Sequence, residues 1–388
     1  MSNLARYPMS AKFCLFCGER PEGKSKEHVL PRWLIELTGE PTRIANFGLD
    51  LSQGVEAAAP RQYALSQFQF PACTVCNGIF STLENEGKKV ISKILASERL
   101  FARDISTLLD WLDKVRVGLW LGFHQLDKNI EGIRPRFFVQ HRIGRKDRLL
   151  VLASRTDERQ LLSFIGPTTV AFRFLPSALG LVINRLCFVN VSCDYLLARR
   201  LGFPYPPNPI ISIARQTPDY CQLGRALHRV LRPIYQGSLQ LDGAVFYQPM
   251  FPSELTWRPS TFYEAEYVKG HSLDWEAGVG GIYYSKGDQF RWLDDKGQLT
   301  DITVDPRCEG AEKKMVRSVY SALKHLCTRL APNYVYRTAE DRKFIELRQK
   351  LVLKELHSLE RGARSMPGRP WVKDPPPAPH DSGSPNGE

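Results

Sequence analysis

Two cysteine pairs carry the clearest chemistry in this chain, Cys14-x-x-Cys17 and Cys73-x-x-Cys76. Together they supply four thiolates, which matches the tetrahedral preference of a structural zinc ion. Gly18 directly follows the first pair, as a knuckle turn needing a positive φ would require. Between the pairs stands Lys26-Glu27-His28-Val29-Leu30-Pro31, and Asn77 follows the last cysteine. Taken alone, a Glu-His pair is most simply solvated, and Asn77 could cap the helix that follows it. Cys187, Cys193, Cys221, Cys308 and Cys327 lack ligand spacing and read as small buried side chains.

In this order, CxxCG, EHVLP and CxxCN resemble the HNH endonuclease family, in a divergent bacterial branch. The likeness covers the first quarter of the chain. It implies a ββα-metal fold, a β-hairpin followed by a helix around one divalent metal, with a separate zinc staple. It further implies that His28 is the general base, Glu27 a metal ligand and Asn77 a second ligand at the helix start.

Phosphodiester hydrolysis needs a water deprotonated in line with phosphorus, and a Lewis acid for the charge growing on the phosphate. Histidine suits the base because it titrates near working pH. A carboxylate and an amide oxygen suit a hard cation such as Mg²⁺ or Mn²⁺. The family's middle asparagine is absent here, leaving Gln67 and Gln69 to stand in for it, and its lysine three residues after Asn77 is Phe80. The implied partner is nucleic acid, DNA before RNA, in a setting such as bacterial defence. The rival reading is a zinc-stabilised module that binds nucleic acid or organises a complex without cutting.

The elements that must position these residues follow from the apolar pattern. An inserted helix is expected around Arg32 to Leu37. Ile79, Phe80, Leu83, Val90, Ile91 and Ile94 mark one face of a helix after Asn77, at ~100° per residue. Asn77, Ser81, Glu84 and Lys88 form a separate polar stripe, so Glu84 is a neighbour of the site two turns on. Arg103 to Phe123 read as an amphipathic helix. RFFVQHRI, RLLVLAS, TVAFRFL and LCFVNVS read as strands, as do GAVFYQP, FYEAEYV, GGIYYS and QFRWLDD. Glu309 to Leu330 and Ala339 to Leu359 read as charged helices with apolar stripes.

The expected class is α+β, a ββα zinc module followed by a larger mixed α+β region with C-terminal helices. The divisions are residues 1–97 for the module, 98–360 for a region of targeting or regulation, and 361–388 for a Pro/Gly-rich tail expected to be disordered. The second region is also where a protein partner or oligomer contact is expected. A net charge of +12 over 388 residues favours a polyanionic partner over an acidic protein. Lys24, Lys26, Arg32 and Arg43 are candidate phosphate contacts, with Lys88 and Lys89 beyond them, and so is the run Arg142, Arg145, Lys146 and Arg148. The most hydrophobic long stretch, Val170 to Val191, is broken by Arg173, Asn184 and Arg185. With no secretory signal visible either, a cytoplasmic protein with reduced cysteines and no membrane span is expected.

Overall fold

The protein is described from a computed structural model covering residues 13–23, 25–50, 59–126, 135, 137–167, 169–174, 176–193, 204–205, 222–223, 241–250, 272–274, 279–286, 289–293, 307–330 and 339–365. The N-terminal part contains β1 (Ser25–His28), α1 (Arg32–Leu37), β2 (Ile44–Asp50), β3 (Ala59–Ala64), a 3₁₀ turn (Leu65–Gln67), β4 (Gln69–Ala72) and α2 (Thr74–Leu95). Next come α3 (Ala102–Leu126), α4 (Val139–Arg142), β5 (Asp147–Ser154), β6 (Leu162–Ile165), α5 (Val170–Phe174), β7 (Ala178–Ile183) and β8 (Leu186–Cys193). Short strands β9 (Pro204–Tyr205), β10 (Gln222–Leu223), β12 (Ser272–Asp274) and β13 (Val279–Gly280) accompany β11 (Ala244–Gln248), β14 (Ile282–Lys286) and β15 (Gln289–Leu293). Two long helices close the chain, α6 (Ala311–Leu330) and α7 (Ala339–Ser365). The class is α+β, as the sequence pattern leads one to expect.

The centre is a seven-stranded antiparallel sheet in the order β15-β14-β11-β5-β8-β7-β6. Every residue of β5 and β8 is buried, so both faces of the sheet must be covered. Leu150, Leu152, Phe188 and Phe246 share a core with α3 and the N-terminal elements. Their alternating neighbours Leu149, Val151, Val189, Val191 and Tyr247 share a second core with α6 and α7. The period of two sorts one strand sequence into two cores. No described helix is long and apolar enough to cross a membrane.

Helix α3 is buried almost all round rather than amphipathic, with Trp111, Asp113, Lys114 and Arg116 all enclosed. Its polar groups are matched accordingly. Arg116 bonds Asp113 and Asn190 and donates from Nε to the Pro176 carbonyl at 2.9 Å. Arg148 bonds Asp110, lies 3.3 Å from Asp113 and donates from Nε to Gln248 Oε1 at 3.1 Å. Burial opposes ionisation of Asp113, but Arg116, Arg148 and Arg142 outweigh it and hold its carboxyl below the usual range.

Two expected strands are helices. RFFVQHRI forms α4 because the Val139 and Gln140 N–H groups donate to Leu15 and Phe16 of the first cysteine knuckle, not to a strand. TVAFRFL forms α5 because its start is capped. Thr169 Oγ1 accepts the Phe172 N–H at 3.1 Å, and the Glu355 carboxylate accepts the N–H groups of Val170 and Ala171. An oxygen anion at a helix N-terminus outweighs a modest β propensity. Conversely β6 and β7 did not emerge from the pattern, since ALGLVI is buried on both faces and shows no alternation. FYEAEYV, Cys221, Lys24 and residues 366–388 of the expected tail lie outside the described residues, whereas residues 361–365, expected to be disordered, continue α7.

The basic run divides as well. Arg142 and Arg148 are buried in the fold, which removes both as phosphate contacts, whereas Arg145 is exposed. Removing charge at Asp113 while Arg116 and Arg148 stay buried is expected to cost ~3–5 kcal/mol. Asp113→Asn should therefore lower the urea midpoint sharply. Arg32→Ala, which breaks an exposed pair with Glu36, should cost under ~1 kcal/mol in the same titration.

Candidate functional site

The four cysteines converge. Cys14 and Cys17 lie on the first knuckle, Cys73 at the N-cap of α2 and Cys76 in its first turn, with their sulfurs all within 4.8 Å of one another. Backbone geometry builds the knuckle. The Gly18 N–H donates to the Cys14 carbonyl at 2.9 Å, with Gly18 at φ +85°. A side chain there would also strike the Phe138 ring at 2.1 Å. N–H groups of Cys73 and Glu22 point at the sulfurs of Cys14 and Cys73 respectively, the arrangement that favours thiolate over thiol.

Burial works against the Cys14 thiolate, yet backbone N–H groups of Cys17, Cys73 and Phe16 outweigh it and lower its pKa. Burial and a negative neighbour push Cys17 up, and Cys76 up to about 11. Four sulfurs this close ionise together only around a cation, so the donor set could hold a structural metal such as zinc. Among the described residues this is the one group of three or more His, Cys, Asp or Glu side chains placed to share an ion. Cys187, Cys193 and Cys308 are buried elsewhere and Cys327 is half-buried.

The tetrad fixes a hairpin against a helix. Strands β1 and β4 pair antiparallel, with Glu27 opposite Phe70 and His28 opposite Gln69. Side chains alternate along β1, so Ser25 and Glu27 share one face and Lys26 and His28 the other. Asn77, early in α2, donates from Nδ2 to Ser25 Oγ at 2.8 Å. It is therefore not the helix cap, a position held by Cys73. Its partner lies on the Glu27 face.

His28 contacts Gln69, one of the two amides singled out in the sequence. Gln69 Nε2 lies 2.9 Å from His28 Nε2 and donates to the Ser66 carbonyl at 2.9 Å. An amide nitrogen has two hydrogens, one for each acceptor, so His28 Nε2 accepts and the neutral ring carries its proton on Nδ1. That Nδ1 is buried without a partner among the described residues. Burial first, then the charges of Lys114 and Arg32, lower the His28 pKa and favour the neutral imidazole. Gln67 is exposed and takes no part.

Glu27 is the buried member. Its Oε1 pairs with Lys114 Nζ, from α3. Burial raises the Glu27 pKa, and Lys114 opposes that rise. Glu84 joins from the other side. Its Oε1 lies 2.6 Å from Lys114 Nζ, and its Oε2 accepts the indole N–H groups of Trp33 and Trp111, each at 3.1 Å. Burial disfavours the Lys114 charge, but Glu84 and Glu27 more than offset this and raise its pKa. The polar stripe along α2 thus leads from Asn77 to a buried ion cluster. Sequence reading missed Lys114, Trp33 and Trp111. The available signal was three charges, Asp113, Lys114 and Arg116, set within a long apolar helix.

The surrounding surface also differs from expectation. Phe80, where the resemblance led one to look for lysine, stacks on Phe16 at 4.2 Å beside the cysteines. Ile79 is 64% exposed and Val75 69%, so the buried face of α2 is Phe80, Leu83, Gly87, Val90, Ile91 and Ile94. Arg43 bonds the Ile35 and Glu40 carbonyls and the Thr38 hydroxyl, a structural role. Lys26, Lys88 and Lys89 are exposed.

Elemental analysis of purified protein is expected to give one zinc per chain. Cys73→Ser should lose the metal and lower the melting temperature, while Cys187→Ser, far from the tetrad, should keep it. Comparison with known protein families, curated proteins and solved structures finds no match to this chain.

Proposed function

We propose that the N-terminal module is a zinc-stapled phosphodiesterase of HNH type that cuts nucleic acid, DNA before RNA. The single observation that carries this reading is the placement of Glu27, His28 and Asn77. All three sit on one hairpin-and-helix frame that a four-cysteine cluster clamps at its open end. Zinc in that cluster is structural, because all four positions are taken by sulfur and none remains for substrate.

The donors for a second, hard cation fit in kind. Asn77 commits its amide nitrogen to Ser25, so its oxygen is the atom left for a metal, on the Glu27 side of β1. Glu27 pairs with Lys114 through Oε1 and has Oε2 to offer. Mg²⁺ or Mn²⁺ held there would stabilise negative charge on the scissile phosphate.

His28 does the proton work. Its Nε2 lone pair is kept unprotonated by burial and by the Gln69 N–H. A water replacing that N–H hands its proton to Nε2 as its oxygen bonds to phosphorus, while the P–O bond in line on the far side breaks and its leaving oxygen takes a proton from solvent. Gln69, tied to Ser66, holds the ring plane and tautomer in the resting site and gives up its bond to Nε2 when that water enters. The exposed Lys26 next to His28 faces the phosphate backbone, a contact that gives affinity without sequence readout.

Two observations favour the rival, a zinc module that binds nucleic acid without cutting. His28 stands on the face of β1 opposite Glu27 and Ser25, the partner of Asn77, so the base and the metal donors do not share a face. Glu27 already has a buried partner in Lys114 and is satisfied without a metal. Cleavage of plasmid and RNA with Mg²⁺ or Mn²⁺ separates the two readings. His28→Ala is expected to slow cleavage ~10²–10⁴-fold with folding and zinc content unchanged. Equal rates for parent and variant, or binding with no cleavage by the parent, would give the module to the rival.

A further inference from the structure

We propose that Lys114 is the resident cation of the Glu27–Glu84 pocket and that it holds down the affinity of the module for a divalent metal. The inference rests on the reading of Glu27 as a metal ligand. An ammonium has three hydrogens to donate; two are placed, on Glu27 Oε1 and the His28 carbonyl, and Glu84 Oε1 is an ion-pair contact. Lys114 Nζ meets Glu27 Oε1, Glu84 Oε1 at 2.6 Å and the His28 carbonyl at 3.3 Å. Its side chain is 2% exposed and it rises from a helix enclosed on nearly every side. The ammonium is fastened in place and almost wholly shielded from solvent.

Two consequences follow for a metal. Glu84 is excluded as a ligand, because Lys114 holds one of its oxygens and two indoles the other. Glu27 is reduced to a monodentate donor whose charge is half spent on the ammonium. The triad of Glu27, Glu84 and Lys114 carries a net charge of −1 (two carboxylates and one ammonium). Without the ammonium the same two carboxylates would carry −2, the kind of oxygen set that draws in a hard dication. Lys114 is therefore a positioning residue. It fixes which Glu27 oxygen faces the metal and keeps the cation from sinking into the pocket beneath.

Lys114→Met alone leaves two buried carboxylates without a counter-charge and is at risk of misfolding. Lys114→Gln/Glu84→Gln lessens that risk, since it leaves one carboxylate rather than two without a counter-charge, frees both Glu27 oxygens for a metal, and keeps an amide oxygen on α2 to accept the indole N–H groups. Zinc-loaded full-length protein is titrated with Mn²⁺, and free Mn²⁺ is read by electron paramagnetic resonance. The double variant is expected to take one Mn²⁺ about 10–100-fold more tightly than the parent, the size of effect that partners of metal ligands exert, here of opposite sign because the partner removed is a cation. Adding Glu27→Gln should erase that gain. Equal affinity in parent and double variant, no Mn²⁺ site in either, or a gain that survives Glu27→Gln would each overturn the proposal. Cleavage by the parent is scored independently. A parent that cuts while the Mn²⁺ affinities are equal keeps the proposed function and loses only the role of Lys114.

Discussion

The structure depends on how α3 disposes of the charges it buries. Within four residues it carries Asp113, Lys114 and Arg116, all enclosed, and an unmatched charge in such a place costs several kcal/mol. Each is matched in a different direction. Lys114 reaches the hairpin-and-helix frame at Glu27 and Glu84. Arg116 reaches the central sheet at Asn190 and the Pro176 carbonyl. Asp113 ties Arg116 to Arg148 and also accepts the Gly144 N–H at 3.2 Å. A helix buried by apolar contacts alone could rotate or slide by a residue at modest cost. One whose charges have fixed partners on opposite sides has one acceptable register. The candidate site and the sheet are thereby aligned through one helix.

Shape complements charge along the same seam. A side chain at Gly122 would lie 2.7 Å from the Phe70 ring of β4, and one at Gly87 of α2 would lie 2.7 Å from Trp111. The backbones of α2 and α3 and the hairpin therefore approach closely where Lys114 enters. Trp111 fills the gap opposite Gly87 and turns its indole N–H to Glu84. The apolar core runs without a break from Cys14 and Phe16 through Trp111 and Trp120 to Phe188 and Phe246. A hairpin of two four-residue strands is too small to hold its own geometry in water. Here the cysteine cluster secures one end and α3 supports the whole length.

What the sequence revealed, and what it did not, divides by the range of the interaction. The cysteine pairs, α1 at Arg32–Leu37 and the long helices α6 and α7 were legible because spacing, period and capping are local properties. Gln69, 41 residues from His28 in the chain, was singled out together with Gln67 only through the resemblance, as a stand-in for the family's asparagine. The failures have non-local causes. α5 reads as a strand until Glu355, from a helix 185 residues later, is seen to cap it. α4 reads as a strand until the cysteine knuckle is seen to take its N–H groups. Arg148 reads as a surface arginine in a basic run until Asp110 and Gln248 are seen around it. Ile79 fits an apolar stripe by spacing but is exposed, because no described residue covers that part of α2.

Lys114 is the instructive case because its signal was present and pointed the other way. A lysine in a helix is ordinarily the residue that marks the solvent face, and amphipathic reading places it there. Yet Trp111, Leu112, Val115, Val117, Leu119 and Leu121 leave no width on this helix for a solvent face. A charged residue inside a stretch that is apolar all round must be buried, and a buried lysine demands a carboxylate. In the N-terminal module the sequence supplies one at Glu27 and another at Glu84. The same inference carries to the chemistry of the site. The two buried carboxylates of the module, Glu27 and Glu84, answer first to an internal cation, so any metal at Asn77 meets an environment whose charge is already set by α3. The helix that joins the module to the sheet thus also fixes the electrostatics of the module.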